Sequence, residues 1–310
     1  MKKLIYSTIF VLLIIFFLLV SLFSSDKYES SYSSYSSKEE VNFSLNGDLS
    51  LQFQENMRYP SREISYRIEN CSLQKNNDFT NAIRILSNKT IISFYEVESD
   101  EEIFVTCSDK IRVEEGFFIA GEGGPTKAVR SGNYYVLLHG KVLLLKDSTC
   151  YNPNIAIHEI LHTLGFEHSD NKKNIMYNFS FCNQELSEDI IELINNLYRK
   201  ESLSDLTFEE VSVNLSNKLL YLNFSIRNIG LSDSFPYTIL ISSNEKEIKN
   251  FSSSGLEIGA GTNFIFSNIQ FKEKNPSNIT FQIVYSSKEL DKENNLLVLK
   301  MNKFDKGDLI

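Results

Sequence analysis

The sequence predicts an α+β unit followed by an all-β sandwich, both behind an N-terminal apolar helix. Three observations lead there. Residues 4–23 form a nearly unbroken apolar run. Residues 57–200 mix strand-like alternation with helical apolar spacing, and they hold all four cysteines and all four histidines. Residues 206–300 carry short alternating runs separated by turn-rich pieces. A length of 310 residues allows one large domain or two ordinary ones. With 42% hydrophobic and 23% charged residues, most of the chain can form packed cores. The formal net charge of −9 argues against a nucleic-acid partner, which requires a basic face. Four His and four Cys are too few for a zinc-ribbon or finger array.

Lys2 and Lys3 precede the apolar run, which is long enough to cross a bilayer as a helix of about 20 residues. Its exit, Ser21-Leu22-Phe23-Ser24-Ser25, lacks an Ala-x-Ala cleavage pattern, and no Cys lies near it. An uncleaved signal anchor over residues 1–25 is therefore expected in preference to a cleaved signal, which would give a secreted protein. By the positive-inside rule the N-terminus stays cytoplasmic and everything after Phe23 is extracytoplasmic. Residues 26–56, with SSYSSYSS near their centre, have no apolar period and are expected to be a flexible tether.

Within residues 57–200, residues 62–69 (REISYRIE) alternate as a strand, and residues 78–86 (DFTNAIRIL) have helical spacing with Asp78 as the expected cap. Residues 91–98 and 102–107 read as strands. Residues 116–124 read as a strand entering a loop, and residues 134–145 as two strands or one bent at Gly140. An even number of cysteines outside the cytoplasm suggests two disulfides with three connectivities open. Pairing Cys71 with Cys107 and Cys150 with Cys182 would tie neighbouring elements. A Cys₄ metal site lacks the usual short C-x-x-C spacing, and free buried thiols are the plainer alternative. Beyond a boundary near residues 201–205, alternating runs at 210–213, 219–227, 238–242, 263–269, 279–285 and 296–299 predict a β-sandwich over residues 205–303.

The chemistry concentrates in residues 158–168, which read H-E-x-x-H-x-x-G-x-x-H. On a helix His158 and His162 are one turn apart and share a face, so both can ligate one Zn2+. Glu159 can reach a zinc-bound water as general base. Gly165 tolerates a positive φ, so it can stop the helix and swing His168 round as third ligand. Three protein ligands leave a fourth position open, the arrangement of a catalytic site. For this composition a chance match to all five fixed positions is on the order of 10⁻⁶. The remaining His139 lies in an expected strand and has no assigned role.

Asn174-Ile175-Met176-Tyr177 follows, and resembles the Met-turn of the metzincins, in which Met176 would lie beneath the metal. Ser169 after the third His, the NIMY stretch, and residues 186–198 (LSEDIIELINNLY) resemble the matrixin, or matrix metalloproteinase, family. ISYRI at residues 64–68 and ISFYEV at residues 92–97 are similar to its first two strands. The resemblance implies a metzincin fold of a twisted mixed sheet packed with helices, a catalytic Zn2+, and a peptide substrate lying extended along an edge strand within 116–124 or 134–138. It also implies a role for Tyr177 in the pocket for the residue after the cut. Matrixins carry a second, structural zinc bound partly by further His residues. Only His139 is left over here, so that ion is expected to be absent, with disulfides supplying the bracing. Asn178 stands where matrixins have Pro, a single Asp189 precedes Ile190, and no P-R-C-G-x-P-D pro-segment is present.

Residues 224–230 (FSIRNIG), 256–266 (LEIGAGTNFIF) and 289–295 (ELDKENN) resemble CARDB domains, immunoglobulin-like modules of prokaryotic surface proteins. That resemblance implies spacing or adhesion. Glu289, Asp291 and Glu293 could hold a structural Ca2+, though a solvated turn is the plainer expectation. Eight N-x-S/T sequons permit glycosylation without showing it. The expectation overall is a membrane-anchored zinc endopeptidase acting on protein or peptide at the cell surface. The alternative is an adhesion or scaffold protein with an inactive or highly selective peptidase domain. The sequence does not speak to oligomeric state.

Overall fold

The computed structural model describes residues 31–33, 51–114, 117–148, 150–216, 218–271 and 277–301. The expected anchor at residues 1–25 lies outside them. Among the described residues no helix is long and apolar enough to cross a membrane. Strand β1 (Ser31–Ser33) belongs to the second unit below.

In the first unit the alternating segments become β2 (Met57–Arg58), β3 (Glu63–Glu69), β4 (Ser93–Glu96) and β5 (Ile103–Cys107). A two-stranded ribbon follows, β6 (Val113–Glu114) with β7 (Phe117–Phe118), and then the long strands β8 (Gly121–Ser131) and β9 (Tyr134–Leu144). The sheet runs β2-β9-β5-β3-β4, all parallel where paired, with β8 added antiparallel to β9. Residues 134–144 are therefore one strand. Its first half pairs with β2 and its second half with β5 on one side, and β8 covers the other. That places residues 134–138 inside the sheet and corrects their expected candidacy as substrate edge: β8 is the edge.

Helix α1 (Leu73–Lys89) is longer than the expected residues 78–86 and is capped by Ser72, whose hydroxyl accepts the Lys75 N–H at 3.3 Å. Asp78 is no cap. It is buried in the helix middle and accepts the Ser148 N–H at 3.0 Å. Phe79, Ala82, Ile83 and Leu86 press the helix onto the sheet, and each large apolar side chain there contributes roughly 1.5–3 kcal/mol by leaving water. Helices α2 (Asn154–Thr163) and α3 (Glu188–Arg199) complete the unit, with Ile190, Ile194 and Leu197 of α3 in the same core.

Cys71 is bonded to Cys107, and Cys150 to Cys182. The first ties the ends of β3 and β5 across a separation of 36 residues. A Cys71→Ser/Cys107→Ser double variant should lose about 3–4 kcal/mol, because the unfolded chain regains the entropy of that loop. Urea unfolding checks this; a loss below about 1 kcal/mol would contradict it.

The second unit is a sandwich of two antiparallel sheets. One runs β1-β14-β11-β10 and the other β13-β12-β15-β16. Its strands are β10 (Leu206–Ser216), β11 (Leu219–Asn228), β12 (Tyr237–Ser243), β13 (Lys246–Ser253), β14 (Gly261–Gln270), β15 (Asn278–Val284) and β16 (Leu296–Lys300). Strand β13 is additional to the six expected runs; KEIKNFSS has little apolar alternation, and pairing with β12 makes it a strand. Phe224 lies at the centre of the core, 5.2 Å from Phe281 and 5.3 Å from Phe264 between ring centroids. Two parts of the expected tether are structured. β1 pairs with β14, whose outer row of N–H and C=O groups can capture extended chain, and residues 51–53 pack on the first unit. Glu289 is no solvated turn residue: it is 6% exposed, its Oε1 accepts the Leu206 N–H at 2.9 Å, and its Oε2 accepts from the Asn295 amide.

The two units meet along the β8–β9 hairpin. The buried Ser131 hydroxyl donates to Gly230 O at 2.6 Å, and Val129 and Val136 form a small apolar cluster with Leu231 and Ile258. Gly259, at φ +72°, lets the backbones close: a Cβ there would stand 2.6 Å from Arg130 O.

Candidate active site

Helix α2 buries Ala156, Ile157, Ile160 and Leu161 in the core and presents His158, Glu159 and His162 to the cleft, with Glu159 against the edge strand β8. It ends in a Schellman motif. The Gly165 N–H donates to His162 O at 3.0 Å and the Phe166 N–H to Leu161 O at 3.0 Å, with Gly165 at φ +89°. The reversal brings His168 back over the helix.

The three imidazoles converge. His162 Nε2 is 3.0 Å from His158 Nε2 and 3.2 Å from His168 Nε2. His158 Nδ1 lies 2.8 Å from Ile175 O, and His162 Nδ1 lies 2.8 Å from Phe166 O. A carbonyl only accepts, so each Nδ1 carries the proton and each Nε2 lone pair faces the common centre. Three Nε2 atoms converging on one point, two with their tautomer fixed, are the donor set of a divalent zinc ion, and these residues fit it. Met176 is buried, its N–H donating to Asn174 Oδ1 at 2.9 Å and its carbonyl accepting the Ser169 N–H at 2.8 Å. The Met-turn is thereby stitched to the strand of chain that carries His168. His139 stands apart from the centre, with its Nδ1 2.6 Å from Thr126 Oγ1.

Glu159 is 6% exposed and faces β8. Glycines at 121 and 123 make room for it: a Cβ on Gly121 would lie 2.8 Å from Glu159 Oε1, and one on Gly123 would lie 2.1 Å from Glu159 O. Between β8 and the segment after the Met-turn runs a cleft of about 760 Å³, lined by the histidines, Glu159, Tyr177 and both Cys150 and Cys182. Tyr177 is at its wall. Phe179 and Phe181 join it there, with ring centroids 5.9 Å and 6.3 Å from Tyr177. The loop after Tyr177 was expected to shape the pocket, but neither phenylalanine of its N-F-S-F-C run was singled out.

In the metal-free chain burial holds His158 down at about 4, and burial with the neighbouring His158 and His168 holds His162 at about 3. Burial, aided by the Glu122 charge, pushes the Glu159 carboxyl up to about 8. Between about pH 4.5 and 6.5 the unfolded chain binds two imidazole protons that the folded chain refuses, against one Glu159 proton held only when folded. Stability is therefore lost as pH falls through that window. Above pH 6.5 the imidazoles are losing their protons in both states and Glu159 sets the sign: the folded chain keeps a proton the unfolded chain has released. Stability then falls by about 1 kcal/mol per pH unit as pH rises toward 8. Metal-free stability should peak near pH 6.5, and Glu159→Gln should remove the alkaline fall. Urea unfolding in chelator from about pH 5 to 9 checks both; an unchanged alkaline limb in the variant would refute the assignment.

The sequence model of the Matrixin family matches residues 49–199. Human matrix metalloproteinase-26 is 33% identical over 135 residues, which cover 41% of this chain and 52% of that protein. The chain thus spans about half the length of the curated relative it matches. Among solved structures, high choriolytic enzyme 1, a hatching-enzyme zinc protease of the medaka fish Oryzias latipes, is 22% identical with a TM-score of 0.24. It covers 35% of this chain and 46% of that one. A CARDB domain from Pyrococcus furiosus, solved in complex with di-metal ions, is 20% identical with a TM-score of 0.28, covering 31% of this chain and 84% of that one. At those scores neither structural likeness carries weight for the site.

Proposed function

We propose that this chain, a matrixin-like metzincin joined to a CARDB-like sandwich, is a membrane-anchored, extracytoplasmic zinc endopeptidase. The observation that carries the reading is the convergence of three Nε2 atoms, two with their Nδ1 protons fixed by carbonyls, beside a buried glutamate in an open cleft. His158, His162 and His168 would hold Zn2+, which when bound supplies a Lewis acid that acidifies water and polarises a carbonyl. Glu159 takes the proton of the attacking water and passes it to the leaving amine. A substrate strand lies along β8, whose glycines keep side chains out of its path to Glu159. Tyr177, Phe179 and Phe181 offer an aromatic wall to an apolar side chain of the substrate. The apolar run at residues 4–23 would hold the enzyme at the membrane, with its protein substrates on the same outer face.

The test uses purified full-length chain in detergent. About one zinc per chain, cleavage of a peptide library at internal bonds, and loss of cleavage in chelator are expected. Bound zinc with no cleavage of any library or casein would favour the scaffold alternative, and a folded chain without zinc would sink the site. Protease protection of the folded domains in sealed inverted vesicles tests the orientation.

A further inference from the structure

We propose that residues 51–53 are a positioning strap for the metal site, holding the turn between His162 and His168 that delivers the third ligand. The proposal rests on the reading that the three histidines bind zinc.

The strap crosses that turn as a short antiparallel bridge, Gln52 opposite Phe166. The Glu167 N–H donates to Leu51 O at 3.0 Å, and the Phe53 N–H donates to Gly165 O at 2.9 Å. Both residues flanking Phe166 are thus clamped. The Phe166 carbonyl is the group that faces His162 Nδ1, so the strap fixes the atom that orients the second ligand while also fixing the approach to His168. Gln52 is 4% exposed and locks the strap in place. Its Nε2 donates to Met57 O at 2.8 Å and Leu164 O at 3.3 Å, and its Oε1 accepts the Met57 N–H at 3.1 Å. One side chain therefore joins the strap, the start of β2 and the end of α2. The Phe53 ring stacks on the His162 imidazole with centroids 5.9 Å apart and planes 17° apart. None of residues 51–53 lines the cleft, so the strap acts on the ligands and not on substrate.

Groups behind metal ligands set ligand orientation, and losing one typically costs about 10–100-fold in metal affinity. Gln52→Ala and Phe53→Ala should therefore release zinc to a chelator about 10–100-fold faster than wild type. In the metal-free protein the Glu167 amide should exchange hydrogen faster by a similar factor. Gln52→Met keeps the side-chain length and removes the amide, so it tests the hydrogen bonds without a cavity. Leu220→Ala, in the sandwich core, is the control: it lowers the melting temperature and should leave zinc release unchanged. Unchanged zinc release in the strap variants overturns the proposal, whether or not Glu167 exchange changes. So does faster release in Leu220→Ala to the same extent. Should the wild type bind no zinc, the zinc-site reading fails by itself, and Glu167 exchange in the strap variants still decides whether the strap holds the turn.

Discussion

Glu159→Gln should lower kcat for peptide cleavage by about 10³-fold while about one zinc ion per chain remains bound. The side chain follows His158 on α2 and is buried against β8, where burial raises its carboxyl in the metal-free chain. Its chemical asset beside the proposed zinc is a carboxylate that can take up a proton and give it back. Gln has the same shape and fits the space beside Gly121 but cannot transfer a proton, so KM should change little and the loss should fall on kcat. Zinc content measured beside steady-state kinetics separates this from a lost metal. A kcat within about tenfold of wild type would remove Glu159 from the mechanism.

Arg58→Met should destabilise the first unit by about 3–5 kcal/mol, lowering its melting temperature by about 10 °C. Arg58 is 1% exposed yet meets no carboxylate among its described partners. Its guanidinium donates to Tyr59 O at 3.0 Å, Pro60 O at 2.9 Å, Lys200 O at 3.1 Å and Leu197 O, and lies 4.7 Å from the Tyr198 ring centroid. Burial lowers its pKa, which measures the cost of holding a charge there. Carbonyls at the end of α3 have no intrahelical donor, so removing the guanidinium strands them. Met fills most of the volume, which confines the loss to the hydrogen bonds. Arg58→Lys, with three donors and no planar fork, should recover part of it. Thermal and urea unfolding read both variants, and a loss under about 1 kcal/mol would refute the account.

The motif at residues 158–168 was legible because its geometry is local. Ligands at i and i+4 share a helix face, and Gly165 reverses the chain within reach of the same point, whatever surrounds them. Gln52 and Phe53 carried no such sign. Their partners lie 112 and 109 positions away, at Leu164 and His162, and a polar residue after a Ser-rich stretch reads as linker. Asp78 misled for the same reason: an acid before a helical apolar pattern resembles a cap until Ser148 arrives to bond it inside the helix. Glu289 was expected in a solvated turn and is a buried clasp.

By itself the sequence determined the candidate zinc ligands, the candidate base, the two-unit organisation with its strand periods, and the apolar run that proposes a membrane. Each follows from spacing within one or a few turns of chain. Tertiary structure alone decided which strand is the cleft edge, which aromatics wall it, and that the hairpin bearing that edge is also the sandwich's docking arm. It also decided that residues 51–53 cross the turn between His162 and His168. Those outcomes rest on hydrogen bonds and packing between residues far apart in sequence, and a buried polar group takes whichever partner the fold brings to it.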